Sequence, residues 1–351
     1  MPTFSKRFCK MVLIVVLGCT HIQAAKMECV AGCGEGSLGG PAEGAKLIEP
    51  FGVDFDQQGN WYICEYKGQK VSKVDPRGII TLFAGTGEKT YGGDGGPAQY
   101  AELNDPHSLY IKDKHMYVAD TRNHRVRKID LKTGIITTIA GTGEAGYSGD
   151  GGPANQAEFN GTFDLALDAA GEKLYVADLN NRRVRVVDLK SSIVTTVAGN
   201  GTQGVPKDGA QAIKSPLVDP RAVVVHSSGN LYILSRRGNA LRLVDKKGKI
   251  RTVIGPGDIR PDMNGPKHLS LDLQGNIIIA DSENHLIRRY SPKDGKVVTI
   301  AGTGEKGNRL VADDPLKTQL NRPHGVYVHP SGALYISDSN NNRVLKMTSW
   351  Q

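Results

Sequence analysis

Six residues occupy the same place near the start of six similar segments, and their side-chain types could carry out chemistry together. Five of them directly follow a proline, and the set consists of Phe51, His107, Phe163, Arg221, Lys267 and His324. Imidazole nitrogens bind metals or carry protons, Arg and Lys favour an anionic ligand, and Phe offers a surface for stacking or for a sugar face. The structural alternative is that these side chains only fill or solvate the end of a channel.

The elements that must bring these residues together come from one short pattern that recurs six times. Each copy is a strand-forming run that ends at a marker position, and the markers are Glu65, Asp120, Asp178, Ser235, Asp281 and Asp338. They lie 55, 58, 57, 46 and 57 residues apart. A period of this size is typical of repeat architectures, so the sequence predicts six structural units.

Each unit contains four short runs that are rich in Val, Ile, Tyr and Thr and bounded by Gly, Asn or Asp. In the second copy these runs cover residues 106–111, 116–119, 125–129 and 135–140. Runs of this composition predict β-strands. A lone four-stranded sheet cannot bury both of its faces, whereas a ring of such sheets can. We therefore predict an all-β, six-bladed propeller of four-stranded antiparallel blades, whose first strands line a central channel.

The two ends of the chain indicate how the ring closes. The unit after Asp338 has only three strand-like runs, and a copy of its missing fourth run lies at Cys29-Val-Ala-Gly32. We expect residues near 28–32 to form the outer strand of the last blade and to leave only short edges exposed.

These repeats resemble the NHL-repeat family. The motif Leu103-Asn-Asp-Pro-His-Ser108 precedes Tyr117-Val-Ala-Asp120, and Leu320-Asn-Arg-Pro-His-Gly325 precedes Tyr335-Ile-Ser-Asp338. The resemblance covers about residues 28–351 and implies the propeller fold. Similar propellers serve as binding modules and, less often, as enzymes. The resemblance therefore specifies the fold more closely than the function.

The same family includes a zinc-dependent peptide-amidating lyase whose metal-binding His residues occur in Pro-His contexts. Only His107 and His324 match that context here. A catalytic zinc needs three protein ligands and an open position, and the sequence displays no third ligand. We therefore expect no cofactor and a non-catalytic binding propeller that uses the mouth of the channel. A lyase or hydrolase dependent on zinc or calcium, with His107 and His324 as ligands, is the alternative.

The marker acids and the recurring third-strand arginines favour a structural interpretation. Each marker is followed by a polar turn, and an Asp in that position accepts backbone N–H groups. The arginines, which either pair with acids or lie in solvent, are Arg127, Arg185, Arg242 and Arg288. Asp94 and Asp150 lie in glycine-rich linkers, where ordinary turn chemistry is the favoured explanation and a cation held at the rim is the alternative.

The N-terminal segment has the features of a secretory signal peptide. Lys6, Arg7 and Lys10 precede an apolar stretch over residues 11–18, which is too short to span a bilayer. We predict a signal peptide over residues 1–25 and a single propeller domain over 26–351. The protein would then be periplasmic, in the cell envelope or extracellular. A loose lipobox match makes lipid attachment at Cys19 an alternative form of export.

Charge and cysteine content restrict the partners and the redox state. The chain carries a net charge of +8, which falls to about +5 without the first 25 residues, and only 6% of its residues are aromatic. This balance and the export signal argue against nucleic acid, so the expected partner is a protein, a carbohydrate or an anionic ligand. We expect no transmembrane segment. Cys29 and Cys33 could pair after export, although free thiols are the favoured expectation.

Overall fold

Short runs of β-branched and aromatic residues form twenty-five strands in residues 24–350, the part of the chain that the computed structural model describes. Helical structure within this part is confined to 3₁₀ turns of three residues: Ala98–Tyr100, Thr121–Asn123, Ala154–Gln156, Ala212–Lys214, Ser282–Asn284, Pro315–Lys317 and Ser339–Asn341. None of the helices described there has the length and apolarity to cross a membrane. The predicted signal peptide core and Cys19 lie outside the described residues.

The strands assemble into six antiparallel sheets, each with one inner strand beside the central axis. Strand β1 (Lys26–Ala31) belongs to the last sheet. Blade 1 contains β2 (Pro50–Phe55), β3 (Trp61–Glu65), β4 (Lys70–Val74) and β5 (Ile80–Ala84). Blade 2 contains β6 (Pro106–Lys112), β7 (His115–Asp120), β8 (Arg125–Asp130) and β9 (Ile136–Ala140). Blade 3 contains β10 (Thr162–Leu167), β11 (Lys173–Asp178), β12 (Arg183–Asp188) and β13 (Val194–Ala198).

The second half of the ring repeats this order with one addition. Blade 4 carries an extra outer strand and contains β14 (Ala210–Gln211), β15 (Pro220–Val225), β16 (Leu231–Ser235), β17 (Ala240–Val244) and β18 (Lys249–Ile254). Blade 5 contains β19 (His268–Leu271), β20 (Ile277–Asp281), β21 (Leu286–Tyr290) and β22 (Val297–Ala301). Blade 6 contains β23 (Gly325–Val328), β24 (Leu334–Asp338) and β25 (Arg343–Thr348), with β1 as its outer strand. The inner strands beside the central axis are β2, β6, β10, β15, β19 and β23. The predicted six-bladed propeller is confirmed.

The N-terminal strand closes the ring as predicted. β1 runs antiparallel to β25, with Met27 opposite Met347 and Glu28 opposite Lys346. Lys346 Nζ lies 2.9 Å from Glu28 Oε1, and the Met27 side chain is buried in the apolar layer of the last blade. The two ends of the chain therefore share one sheet, which ties the first described residues to the last.

The hydrophobic core is divided into six clusters, one at each junction between neighbouring blades. At the first junction Tyr62 and Val71 of blade 1 pack with Leu109 and Met116 of blade 2. The junction that closes the ring buries Val344 against residues of blade 1. Because every cluster draws on two sheets, a blade buries its faces only when both neighbours are present.

The cysteines of the first strand differ from the favoured expectation. Cys29 and Cys33 form a disulfide across a Cα–Cα separation of 6.5 Å, whereas Cys64 is a buried free thiol. The register of β1 shifts between Cys29 and Ala31, and Gly32 follows with a φ of 78°. This local irregularity turns the chain back on itself and brings together two side chains that regular strand geometry would keep apart.

Candidate functional site

The marker acids hold the loop in front of each inner strand. In blade 2, Asp120 Oδ1 accepts the backbone N–H of Asn104 at 2.8 Å. Its Oδ2 accepts Asn123 Nδ2 at 2.9 Å and Arg127 Nη1 at 3.1 Å. The equivalent backbone contact is made by Glu65, Asp178, Asp281 and Asp338. The structural role predicted for these acids is confirmed, since each joins a loop to the strands that follow it.

The third-strand arginines of blades 2 and 3 pair with a second carboxylate from the linker. Arg127 Nη2 lies 2.7 Å from Asp94 Oδ1, and Arg185 Nη2 lies 2.7 Å from Asp150 Oδ1. Both arginines are fully buried. We call these two groups, Asp94–Arg127–Asp120 and Asp150–Arg185–Asp178, the acid–arginine locks. Each lock surrounds a buried cation with two carboxylates, which is how proteins tolerate a charge out of water.

A second tie connects neighbouring blades directly in front of the candidate residues. Asp105 has a φ of 49°, a left-handed conformation that is unusual before proline, and its N–H donates to Gln69 Oε1 at 2.6 Å. Four other junctions repeat this contact, pairing Glu49 with Asn342, Gly161 with His124, Gly265 with Asn239 and Arg322 with His285. Because the acceptor belongs to the preceding blade, each tie fixes where the next inner strand enters the channel.

The structure brings the six candidate residues together at one end of the channel. The Phe51 ring stacks on His324 with centroids 3.9 Å apart and meets His107 edge-on at 4.8 Å. The Arg221 guanidinium lies 4.3 Å from the centroid of Phe163. Five of the six side chains are buried, and Phe163 is partly exposed. They fill the channel instead of surrounding an open mouth, and we call this layer of six residues the channel floor.

The two cations of the channel floor each point at an imidazole. Lys267 Nζ donates to His324 Nε2 at 3.0 Å, and Arg221 Nη2 is in hydrogen-bonding contact with His107 Nε2. The Nδ1–H of His324 donates to the Arg322 carbonyl at 3.0 Å, which leaves Nε2 as the acceptor. Arg221 is only a donor, so His107 Nε2 must also accept. Both imidazoles are therefore neutral and present a lone pair to a cation.

Burial and mutual repulsion shift the protonation equilibria of this layer. Burial, followed by the charges of Arg221 and Arg236, lowers the pKa of Lys267 to about 7. Burial, followed by the charge of Arg236, lowers the pKa of Arg221 to about 9. The pKa values of His107 and His324 are also lowered well below the usual range, mainly by burial and then by the neighbouring cations. Near pH 7 the channel floor therefore carries less positive charge than the same side chains would carry in water.

The channel floor forms one end of a cavity of about 640 Å³. Four other basic side chains, none of them among the predicted site residues, also line it: Arg122, Arg236, Lys306 and Arg322. Tyr66 adds an aromatic wall by stacking on Phe51 at 4.4 Å. Glu49 is the one acidic side chain lining this cavity in the described part of the chain. A smaller cavity of about 380 Å³ adjoins it and shares Arg122, Arg221 and Arg236 in its lining.

A positional signal for these missed residues exists in the sequence. Tyr66, Arg122 and Arg236 lie one or two places after a marker position, and Arg322 directly precedes the Pro-His pair of blade 6. The turns after the second strands and the loops before the first strands reach the same end of the channel. A search for basic residues at those repeat positions would have found most of the cavity wall.

The candidate metal pair does converge, but the Nε2 atom of each ring is already engaged. The centroids of His107 and His324 are 6.5 Å apart, and Phe51 packs against both rings. Within residues 24–350, no group of three or more His, Cys, Asp or Glu side chains is arranged to hold a metal ion. A metal at this pair would have to displace Arg221 and Lys267 from the two Nε2 lone pairs. The residues present therefore do not fit a zinc or calcium centre.

Deeper in the channel, inner-strand side chains satisfy the backbone of the next blade. Asp54 accepts the N–H of Ile111 at 2.6 Å, and Asp164 accepts the N–H of Val223 at 2.9 Å. Of these two acceptors, Asp54 borders a cavity of about 220 Å³ whose remaining lining is mostly apolar. Burial raises the pKa of Asp54 to about 7. Because inner strands have one unpaired edge, we assign these acids to backbone pairing across blade junctions.

Fold and site together define a closed six-bladed β-propeller with a cavity rich in basic residues at one end of its channel. The family model described as the NHL repeat matches residues 103–129 and 320–347. NHL repeat-containing protein 2 of Gallus gallus is 26% identical over 342 residues, which cover 85% of this chain and 46% of that protein. This chain thus spans less than half the length of that relative. The chain is a six-bladed β-propeller that contains NHL repeats.

Solved structures share the fold at low sequence identity. An auxiliary nutrient binding protein from Bacteroides thetaiotaomicron superimposes with a TM-score of 0.65 and 15% identity, covering 92% of this chain and 76% of the other. A catalytically inactive virginiamycin B lyase from Staphylococcus aureus superimposes with a TM-score of 0.58 and 12% identity, covering 92% and 99%. At these identities the likeness shows the propeller fold alone.

Proposed function

We propose that the protein is an exported, non-catalytic binding propeller that takes a small anionic ligand into the 640 Å³ cavity above the channel floor. The observation that carries this proposal is Arg221. Its side chain is buried, its Nε has no hydrogen-bond partner, and no carboxylate lies within ion-pair distance among the described residues. The charges of Asp219 and Asp164 favour the Arg221 cation only from beyond that distance, and a buried cation with no anion in contact is costly unless a ligand supplies one.

The surroundings of Arg221 support an anion with an apolar portion. Lys267 contributes a second cation on the floor, and Arg122, Arg236 and Arg322 contribute others on the wall. Glu283 partly compensates for two of these cations, lying 3.4 Å from Lys267 Nζ and 2.6 Å from Arg322 Nη2. The Phe51, Phe163 and Tyr66 rings provide the apolar surface. Carboxylates or phosphates attached to an aromatic or sugar-like body match this combination.

Two further observations are compatible with this role. The N-terminal sequence supports export, where a binding protein would meet small nutrients. One solved propeller of similar fold is described as an auxiliary nutrient binding protein. A protein partner that inserts an acidic side chain into the same cavity would use the same contacts.

Calorimetric titration with phenyllactate and with inorganic phosphate tests the proposal. The double variant Arg221→Met/Lys267→Met should bind at least about 10-fold more weakly, because each lost charge-assisted hydrogen bond is worth about 1.5–3 kcal/mol. Arg77→Met/Lys293→Met is the matched control, since both residues lie in turns between third and fourth strands, at the opposite end of the blades.

The possible results of these titrations test the position of the binding site and the class of ligand independently. Equal affinity in the wild type and the Arg221/Lys267 variant would show that the binding site lies elsewhere. A wild-type protein that binds neither probe would overturn the assignment of an anionic ligand. Equimolar zinc in the purified wild-type protein, lost in a His107→Ala/His324→Ala variant, would contradict the non-catalytic role and favour the lyase or hydrolase alternative.

A further inference from the structure

Lys267 has the surroundings of a reactive amine. Its Nζ is buried at the floor of the cavity, 3.0 Å from the Nε2 lone pair of His324. The His324 ring is oriented in turn by its Nδ1–H bond to the Arg322 carbonyl. A nucleophile within hydrogen-bonding reach of a base that a third group orients is the arrangement found in nucleophilic catalysis and covalent capture.

We propose that Lys267 captures 2-oxo acids by forming a reversible imine with the ligand carbonyl, while Arg221 holds the adjacent carboxylate. This inference rests on the proposed function, because the anion site delivers the carbonyl carbon to the amine. Arg221 and Lys267 occupy equivalent positions on neighbouring blades and line the same cavity. In a 2-oxo acid the carbonyl is directly bonded to the carboxylate, so a neighbouring cation and amine suit this class of ligand.

The reaction balances without an oxidant or a reductant. The Nζ lone pair forms a C–N bond to the carbonyl carbon, and His324 Nε2 accepts the proton that Nζ releases. The carbinolamine oxygen takes that proton back from His324 and receives the second proton of Nζ. The C–O bond then breaks, water leaves and the C=N bond forms. The net change is an amine plus a carbonyl giving an imine plus water, and hydrolysis reverses it.

Burial first, and then the surrounding charges, decide how much of the neutral Lys267 amine is populated near pH 7. Arg221, Arg236 and Arg322 disfavour the ammonium form, and the neutral His107 and His324 rings add no compensating negative charge. Glu283 opposes them by favouring the ammonium form. The burial of Nζ acts in the same direction as the arginines and lowers the Lys267 pKa to about 7. An exposed lysine with a pKa near 10.4 is neutral in roughly one molecule in a thousand or fewer at this pH.

Reductive trapping tests the proposal on the whole protein. The protein is incubated at pH 7 with phenylpyruvate and cyanoborohydride, and modified lysines are located by peptide mass spectrometry. Lys267 should be modified at least about 10-fold faster than Lys293, an exposed lysine on the same blade. Lys267→Arg should remove the modification, and phenyllactate, which has a hydroxyl in place of the carbonyl, should compete with it. Protection by phenyllactate keeps the test decisive if the Arg variant does not fold.

Each result has a defined meaning. Preferential trapping at Lys267 that phenyllactate blocks supports the imine. If phenyllactate binds but phenylpyruvate modifies Lys267 no faster than Lys293, the imine is overturned and the anion site stands. If neither compound binds and Lys267 is not modified, both the imine and the anionic ligand are overturned.

Discussion

The acid–arginine locks and the channel floor contain buried arginines that are treated in opposite ways. Arg127 is fully buried and contacts the carboxylates of Asp120 and Asp94, at 3.1 Å and 2.7 Å. Arg221 is also buried, yet it contacts an imidazole and a phenyl ring. The fold pairs the first cation completely, whereas the second has no carboxylate in direct contact and is acted on by Asp219 and Asp164 only from a greater distance.

This difference separates structural from functional use of the same residue type. A lock has its ligands within one blade and its linker, so it is complete when the blade forms. The channel floor collects side chains from all six blades, and its unmatched charge is useful only to a group that enters the cavity. A buried cation that lines a cavity and contacts no carboxylate is therefore a good indicator of a binding site.

The largest effect is expected from breaking a lock. Arg127→Met should lower the free energy of unfolding by about 3–5 kcal/mol, because it leaves the buried Asp120 carboxylate without its cation. Urea denaturation, monitored by circular dichroism, measures the loss of stability. A loss below about 1 kcal/mol would mean that the lock is not the stabilising element that its geometry indicates.

A smaller effect is expected from changing the pH. The folded-state pKa of Lys267 is about 7 and its unfolded value is near 10.4, so the unfolded chain binds more protons between these values. Stability should therefore rise with pH from about 7 to 10.4, by no more than about 1.4 kcal/mol per pH unit from this group.

Urea midpoints measured across this pH range for the wild type and for Lys267→Met test the assignment. The variant should lose the part of the slope that Lys267 contributes, and a bound anion should reduce that slope in the wild type. Identical slopes in the two proteins would show that Lys267 is not the group responsible.

Changing Asp94, the outer carboxylate of a lock, should lower the free energy of unfolding less than changing Arg127 at the centre of that lock. Asp94 is partly exposed, and its Oδ2 also accepts the N–H of Thr138 at 3.0 Å. Asp94→Asn should retain a hydrogen-bond acceptor and lose only the charge, lowering stability by about 1 kcal/mol. Thermal denaturation measures the difference, for which Asp150→Asn in blade 3 is the matched repeat. A loss of stability equal to that of Arg127→Met would indicate that the lock needs the Asp94 carboxylate as much as the Asp120 carboxylate.

The smallest effect on stability is expected from Arg221→Met, which makes the same chemical change as Arg127→Met. Removing an unpaired buried cation should leave stability within about 1 kcal/mol of the wild type or raise it. Parallel urea denaturation of the two Met variants compares them directly. Equal large losses would erase the distinction between lock and floor, and would mean that Arg221 has a counter-charge in the folded protein.

The comparison also shows where prediction from sequence succeeded. The six marker positions specify the number of blades, and the unmatched run at Cys29-Val-Ala-Gly32 specifies the strand that closes the ring. The marker acids of the locks are also predictable, because their bonds reach residues at fixed repeat positions. Local spacing and side-chain type determine these features, so the same features recur from repeat to repeat. Asp94 and Asp150 were instead assigned to turn chemistry, whereas the structure pairs them with buried arginines.

Other features depended on distances between blades. The six floor residues are identifiable from the sequence, but their packing across the axis follows from the narrow radius of the ring, which stacks Phe51 on His324. The pairing of Arg221 with His107 joins residues 114 positions apart. The cysteine pair differed from expectation because a strand irregularity, which the spacing does not encode, turns the chain at Gly32.

The sequence alone thus determined the repeat, the strands, the closing strand and the residue that each blade places at the channel floor. Only the tertiary structure decided which of the buried cations contact carboxylates and which do not. The physical reason is that hydrogen bonds within a repeat depend on local geometry, whereas the charge balance of the channel depends on how six inner strands converge on one axis.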